Sequence, residues 1–406
     1  MDLVLRNALL DAVDGEVDIA VHDGRIGAIG PRLPAGGRGL DLGGRFVSPG
    51  LVETHIHLDK SCIMERCASE EGTLAEAIAQ VAAAKAAFTT EDVRSRAVRT
   101  LERAILQGTT HMRTHLEVDP GVGLRGLEGV LPLVEEYRWA IDLEVCVFPQ
   151  EGLINNPGTE ALMVESLKRG ARVVGAAPYV DSDPHGQIDR VFAMAREFDV
   201  DIDMHLDFTL DVQRMDLGYV CEQTRRHHYE GRVTIGHVST LSALPAPRFD
   251  EASRRLADAG VAVTVLPSTD LFLMGRGIGH NVPRGVAPAQ RLLHAGVNCS
   301  LATNNVLNPF TPFGDCSLMR MANLYANVDQ LGSRTAIAEC HDMITSRAAR
   351  ILRREDYGIG IGKPADLVVF DCADRVAAVA QLVAPLYGFK RGRMTFSRSP
   401  PILHRP

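Results

Sequence analysis

Gly50-Leu-Val-Glu-Thr-His-Ile-His-Leu-Asp59 ends an apolar run, Phe46 to Val52, that reads as a strand. Residues two apart in a strand point to one face, so His55 and His57 share a face at the strand's end. Two imidazoles placed this way can grip one metal ion through their ring nitrogens. A bare His-x-His can also be two histidines that simply cap a strand. The context favours the metal. Ser48-Pro49-Gly50 is a turn that drops the chain into a new element, and later strand ends also carry polar and ionisable groups.

Working outward, strand and helix patterns alternate after residue 46. Candidate strands are 46–57, 110–118, 141–148, 172–179, 200–207, 232–237, 261–266 and 297–303. Helix-prone segments lie between them at 73–88, 91–107, 160–169, 187–198, 217–227, 248–259 and 288–295. Eight β/α units without an antiparallel interruption predict an α/β chain folded as a closed (β/α)8 TIM barrel. A doubly wound open sheet is the alternative, but no GxGxxG follows the first strand to support it.

The two chain ends have a different character. Residues 1–49 hold short β-like runs separated by Asp14-Gly15 and Asp23-Gly24, a hairpin signal. Beyond 318 the chain turns helical (318–331 and 333–350). It then becomes β-like again, with turns at Gly362-Lys-Pro and Lys390-Arg-Gly. Neither end has a core of its own, so 1–49 and 356–406 are expected to form one small β-sandwich domain beside a barrel spanning 50–355.

In such barrels chemistry sits at the C-terminal strand ends. In order these ends offer His55 and His57 with Asp59 and Lys60, Arg113 and His115, Gln150 and Glu151, and Asp181 and Asp183. The remaining strands offer His205 and Asp207, His237, Asp270, and Asn304 with Asn305. Four histidines on three strands (His55, His57, His205, His237) suggest one divalent ion on neutral imidazoles with an open position. Such an ion lowers the pKa of a bound water to roughly 7 and makes it a nucleophile toward an sp2 carbon in a C–N bond. A nearby group must take the water's proton and hand one to the leaving nitrogen. Asp207, two residues after His205, is the expected shuttle, and His237 is placed to polarise the water or the tetrahedral intermediate. After the last strand, Asn308-Pro-Phe-Thr-Pro-Phe-Gly314 offers Phe310 or Phe313 as an apolar wall over a planar ring.

These pieces resemble the amidohydrolase superfamily, in particular its cytosine deaminase branch. The resemblance rests on Ser-Pro-Gly-Leu-Val-Glu-Thr-His-Ile-His-Leu-Asp-Lys (48–60), Arg113-Thr-His-Leu-Glu-Val, Phe148-Pro-Gln-Glu-Gly, Asp201-Ile-Asp-Met-His and Gly236-His237. Gly362-Lys-Pro-Ala-Asp-Leu-Val-Val-Phe completes it, so it spans almost the whole chain in order. It implies a mononuclear zinc or iron on His55, His57 and His205, with His237 beside the bound water and Gln150 reading the heterocycle's edge. Two positions depart from the pattern. The last strand carries Asn304 where the family has an aspartate ligand, and a neutral amide cannot accept the water's proton. Phe208 stands three residues after His205, where cytosine deaminases carry a glutamate shuttle. Relatives acting on s-triazines have a histidine at the position of Asp207. Substrate contacts are therefore expected from Gln150, Asn304, Asn305, Phe208 and Phe310.

Composition sets the bounds. With 46% hydrophobic and 23% charged residues the chain is expected to be soluble and globular. A net charge of −8, with no basic run, argues against a nucleic-acid surface. Met1-Asp-Leu-Val-Leu-Arg6 does not read as a signal peptide, no apolar run is long enough to span a membrane, and a cytoplasmic location is expected. The eight cysteines form no CxxC pair and read as free thiols. The expected partner is a small N-heterocyclic substrate, within a homo-oligomer. The leading function is metal-dependent hydrolysis of a C–N bond by deamination or dealkylamination. Two alternatives are the opening of a cyclic amide or imide, and a barrel that has lost catalysis and serves as a binding protein.

Overall fold

The computed structural model describes residues 2–34 and 36–404. Strands β1 (Leu3–Leu10), β2 (Val13–His22), β3 (Arg25–Gly30) and β4 (Arg38–Pro49) come first. Eight parallel strands follow: β5 (Leu51–Ile56), β6 (Thr109–Glu117), β7 (Asp142–Phe148), β8 (Val173–Val174), β9 (Asp201–Leu206), β10 (Val233–His237), β11 (Ala262–Val265) and β12 (Cys299–Leu301). The chain closes with β13 (Leu367–Phe370), β14 (Pro385–Lys390) and β15 (Arg393–Ser397).

Strands β5 to β12 are neighbours in sequence order, and a parallel bridge between Ile56 and Asn304 joins the last to the first. Two backbone bonds make that closure, from His57 N–H to Asn304 O (3.0 Å) and from Asn304 N–H to His55 O (2.8 Å). The seam of the barrel therefore runs through the His-x-His segment itself.

Each intervening helix buries one stripe against this sheet. The helix Thr90–Leu106 starts where the Thr89 hydroxyl accepts the Asp92 N–H (3.1 Å), with Glu91 and Asp92 in its first turn. Val93, Ala97, Leu101, Ala104 and Ile105 lie along its buried face at helical spacing. Burying a Val, Leu or Ile of this kind contributes roughly 1.5–3 kcal/mol. Helix Leu318–Val328 forms as the pattern predicts, whereas 333–350 divides into Arg334–Asp342 and Ser346–Ile351.

Three expectations need correction. The run 46–57 is not one strand. Phe46–Pro49 pairs with β13 in the other sheet, and β5 begins only after Gly50. A Cβ at Gly50 would meet the Thr110 hydroxyl oxygen at 2.1 Å, so only glycine lets the chain cross so close to β6. The expected strands 172–179 and 297–303 are each shorter. Gly175 and His205 continue the ladder past β8 through single backbone bonds before Pro178 opens a 3-10 turn. Finally, the expected β-sandwich is one continuous sheet in the order β15-β14-β13-β4-β1-β2-β3. It curls so that Ile26 N–H reaches Lys363 O (2.9 Å) and Gly362 N–H reaches Ile26 O (2.7 Å), which encloses a core of Leu5, Ile19, Val21, Val47, Leu367 and Phe389.

This sheet is fastened to the floor of the barrel by polar groups. Buried Lys390 donates to Thr110 O, Asp142 and Asp366 at 2.7–3.0 Å, and the Tyr357 hydroxyl donates to Gly50 O (2.6 Å). His111 lies in this network, at the end of the barrel away from the other histidines. The eight cysteines are free, and among the described residues no helix is long and apolar enough to cross a membrane.

Candidate metal centre and active site

Alternation along β5 turns Glu53, His55 and His57 into the barrel. Parallel register sets Arg113, His115 and Glu117 of β6 beside them, and Asp203 and His205 come in from β9. The result is a set of layers. His55 Nε2 lies 3.0 Å from His205 Nε2, and His205 Nε2 lies 3.2 Å from His57 Nε2. Three lone-pair nitrogens from two strands therefore converge on one point.

Each imidazole is suited to ligation. All three are buried, and burial holds their pKa values well below the usual range, reinforced by the neighbouring imidazoles and, for His57 and His205, by Lys60. They remain neutral, as metal ligands must be. His57 Nδ1–H donates to His115 O (3.0 Å), which leaves its Nε2 free. His55 Nδ1 lies 3.9 Å from Asp203 Oδ1, and His205 packs face to face on Phe148. Both polar atoms of the Asn304 amide and Nδ1 of His205 are buried without a partner. Converging nitrogens and orphaned polar atoms are what a divalent ion and its surroundings would satisfy, so the residues fit such a group.

His237 ends β10 with a left-handed backbone (φ 69°) and lies 5.5 Å from His205, centroid to centroid. Its Nδ1 is 2.5 Å from Asp270 Oδ1, on the helix Pro267–Leu273 that follows β11. Asp270 Oδ2 also accepts Leu266 N–H (3.3 Å). Burial raises the Asp270 pKa, and His237 opposes that rise. The pair fixes the tautomer with Nδ1–H toward Asp270 and Nε2 free.

A charged network forms the rim. Lys60 Nζ donates to Glu117 (2.6 Å) and Gln150 Oε1 (3.3 Å), and it sits 4.3 Å from the centre of the Phe310 ring. Lys85, the last residue of helix Leu74–Lys85, donates to Glu117 (2.9 Å), Asp119 (2.6 Å) and Glu151. Burial alone would push Glu117 up, but the two ammonium groups hold it at about 2, whereas burial and Glu117 push Glu151 up to about 7. The buried Gln150 Nε2 donor faces the Tyr179 hydroxyl.

Two expected site residues, Asp207 and Asn305, are placed differently. Asp207 does not continue the face of His205. Strand β9 stops at Leu206, and Asp207 takes a left-handed conformation (φ 47°). Its carboxylate accepts Asp216 N–H (2.8 Å) and Leu217 N–H (3.2 Å), so it holds the start of helix Leu217–His227. Phe208 instead stacks on His237, with centroids 3.7 Å apart. Both residues line a cavity of about 440 Å3 together with Leu74, Tyr179 and Met215. Asn305 is tied into its own loop, accepting from Asn308 Nδ2 (2.7 Å), which also reaches Lys60 O (3.2 Å). Phe313 is exposed and packs edge-on against Phe272, while Phe310 is buried under Lys60.

The sequence offered Arg113 and His115, but their partners Asp203 and Glu144, and the rim residues Glu117 and Lys85, went unrecognised. Arg113 pairs with Asp203 (2.8 Å) and Glu144 (2.7 Å) below the histidines, and His115 stacks on His55 at 3.7 Å. Period-two spacing from His115 signals Glu117. Nothing local signals Lys85.

The chain is similar to known proteins over nearly its whole length. The amidohydrolase family model matches residues 38–132 and 127–396. N-isopropylammelide isopropyl amidohydrolase of Pseudomonas sp. strain ADP is 30% identical over 403 residues, 97% of this chain and 96% of that protein. A pterin deaminase of Rhizobium rhizogenes is 29% identical over 87% of this chain and 82% of its own length. The crystal structure of 5-methylcytosine deaminase from Klebsiella pneumoniae with 5-fluorocytosine superposes with a TM-score of 0.95 at 27% identity, covering 99% of both chains.

Proposed function

The chain belongs to the amidohydrolase family, and from that premise we propose that it hydrolyses an exocyclic C–N bond of a small N-heterocycle, releasing ammonia or an alkylamine. The observation that carries this reading is the convergence of His55 and His57 Nε2 on His205 Nε2, at 3.0 and 3.2 Å, with the His237–Asp270 pair beside it. The three histidines would hold one zinc or iron. When bound, the ion would supply a water of lowered pKa and stabilise the negative charge that develops on the attacking oxygen.

The chain's own residues do the rest. His237 accepts the water's proton on Nε2, and Asp270 stabilises the imidazolium through Nδ1–H. The same proton then passes to the exocyclic nitrogen, which leaves as the amine while the ring carbon gains the oxygen. Phe208 covers the other side of His237 and keeps bulk water from it. Lys60, fixed by Glu117, faces the electron-rich edge of the ring, and Gln150 Nε2 donates to a ring acceptor. In this reading His237 is the shuttle and Asp207 lies outside the chemistry.

The test is a panel of aminopyrimidines, pterins and N-alkylamino-triazines with the protein loaded with zinc or iron. Metal content is measured by elemental analysis, and amine release is assayed directly. About one ion per chain and amine release from at least one compound are expected, and His237→Asn should lose about 10² or more in turnover. An acid product without amine would move the function to ring opening. Failure to retain metal, with no turnover, would leave only a binding role.

A further inference from the structure

Arg113 and His115 of β6 meet Asp203 of β9 in the layer below the three histidines, and the reaction proposed above gives that layer no task. Asp203 is fully buried, and its two oxygens have different neighbours. Oδ2 accepts from Arg113 (2.8 Å), which is held in turn by Glu144 (2.7 Å). Oδ1 faces two imidazole nitrogens, His115 Nε2 at 3.3 Å and His55 Nδ1 at 3.9 Å.

The His55 ring is wedged in that orientation. One face lies on His115, with centroids 3.7 Å apart, and a Cβ on Gly236 of β10 would stand 3.3 Å from His55 Nδ1 and Cε1. Among the described residues no acceptor is bonded to the buried His55 Nδ1, so Asp203 Oδ1 is where an N–H there can be satisfied. A shift of about 1 Å brings the two to hydrogen-bond length. His57 is fixed from the same strand, since its Nδ1–H donates to His115 O (3.0 Å). His205 has no such fixture, because its Nδ1 is buried without a partner.

We propose that Asp203 is a positioning residue for the metal ligands, accepting N–H from both His55 and His115 on Oδ1 so that His55 turns its Nε2 lone pair toward the ion. A carboxylate behind a ligating imidazole fixes its tautomer and raises its basicity. Asp203 thereby brings a carboxylate next to a ligand set in which the last strand offers only the neutral Asn304. The two β5 ligands are preset, and His205 alone exchanges its proton when an ion enters. This inference rests on the metal reading of the three histidines and assigns the layer beneath them.

The test needs no substrate. Long-range 1H–15N spectra of the full-length protein, zinc-loaded and after chelation, read the imidazole tautomers, and competition with a chromophoric chelator gives the zinc affinity. Native His55 should carry its proton on Nδ1 in both states. Arg113 can only donate, so in Asp203→Asn the amide turns its oxygen to Arg113 and its NH2 to the histidines. After chelation the His55 proton should then sit on Nε2, and zinc affinity should fall about 10- to 100-fold. Glu144→Gln takes a carboxylate from the same arginine, and should keep the native tautomer with a clearly smaller loss of affinity. A native His55 protonated on Nε2, a native tautomer in Asp203→Asn, or equal losses in the two variants would each overturn the proposal. The native spectra decide it if Asp203→Asn does not fold. A protein with Nδ1–H on His55 that takes up no zinc would overturn the metal reading while leaving the Asp203–His55 contact intact.

Discussion

Replacing Asp270 by Asn probes the proposed shuttle without altering His55, His57 or His205. In the native site one carboxylate oxygen faces His237 Nδ1 at 2.5 Å and the other accepts Leu266 N–H at 3.3 Å. The Leu266 amide demands an acceptor, so the substituted side chain turns its oxygen there and its NH2 toward His237. Nδ1 must then be the lone-pair nitrogen and Nε2 carries the proton. The position that should accept the water's proton is already filled. Loss of a buried charge-assisted hydrogen bond costs about 1.5–3 kcal/mol. At 1.36 kcal/mol per decade that is about 10- to 150-fold in rate. The wrong tautomer adds to this, and an Asp-to-Asn change behind a catalytic histidine reaches about 10⁴ in the serine proteases. Turnover should therefore fall by about 10² to 10⁴ with metal content unchanged. Long-range 1H–15N spectra of the imidazole read the tautomer without any substrate, and the proton should move from Nδ1 to Nε2. A variant that keeps the native tautomer, or turnover within threefold of native, would refute the reasoning.

Other perturbations follow from the same contacts. Asp207→Ala removes the acceptor of two N–H groups at a helix start, so it should cost about 0.5–2 kcal/mol of stability while leaving turnover within a few-fold, measured by urea unfolding beside the amine-release assay. Glu117→Gln removes the shared anion of two buried ammonium groups and should destabilise the protein by about 3–5 kcal/mol at neutral pH. Because the folded Glu117 pKa is depressed to about 2 from 4.5, that contribution is present above pH 4.5 and lost as pH falls toward 2. The stability gap between native and variant should close over that window, and a gap constant with pH would show that Glu117 is not ionised in the fold. Gly50→Ala drives a methyl into Thr110 and should cost about 1–3 kcal/mol or more. Thr110→Gly in the same chain should recover most of the loss in thermal unfolding.

The sequence by itself determined the barrel and the shared face of His55 and His57, because both are written in short-range periods. Alternation along Leu51–Ile56 places His55 and His57 on one face whatever the rest of the chain does, and repeated β/α units leave few ways to cover a parallel sheet. Where the period holds, as from His115 to Glu117, the reading extends further. It fails where the backbone departs from the period. Asp207 was read by alternation as a neighbour of His205, yet a single left-handed residue after Leu206 turns its carboxylate toward a helix start and brings Phe208 onto His237. Asp270 was visible as a polar residue after its strand, but only barrel closure brings it to His237, 33 positions earlier. Lys85 carried no signal, since its role depends on a helix end meeting the rim through Glu117, 32 positions away. Local stereochemistry decides which face a residue occupies. Which charges meet on that face is decided by closure of the sheet and the packing of helices around it, and that belongs to the tertiary structure alone.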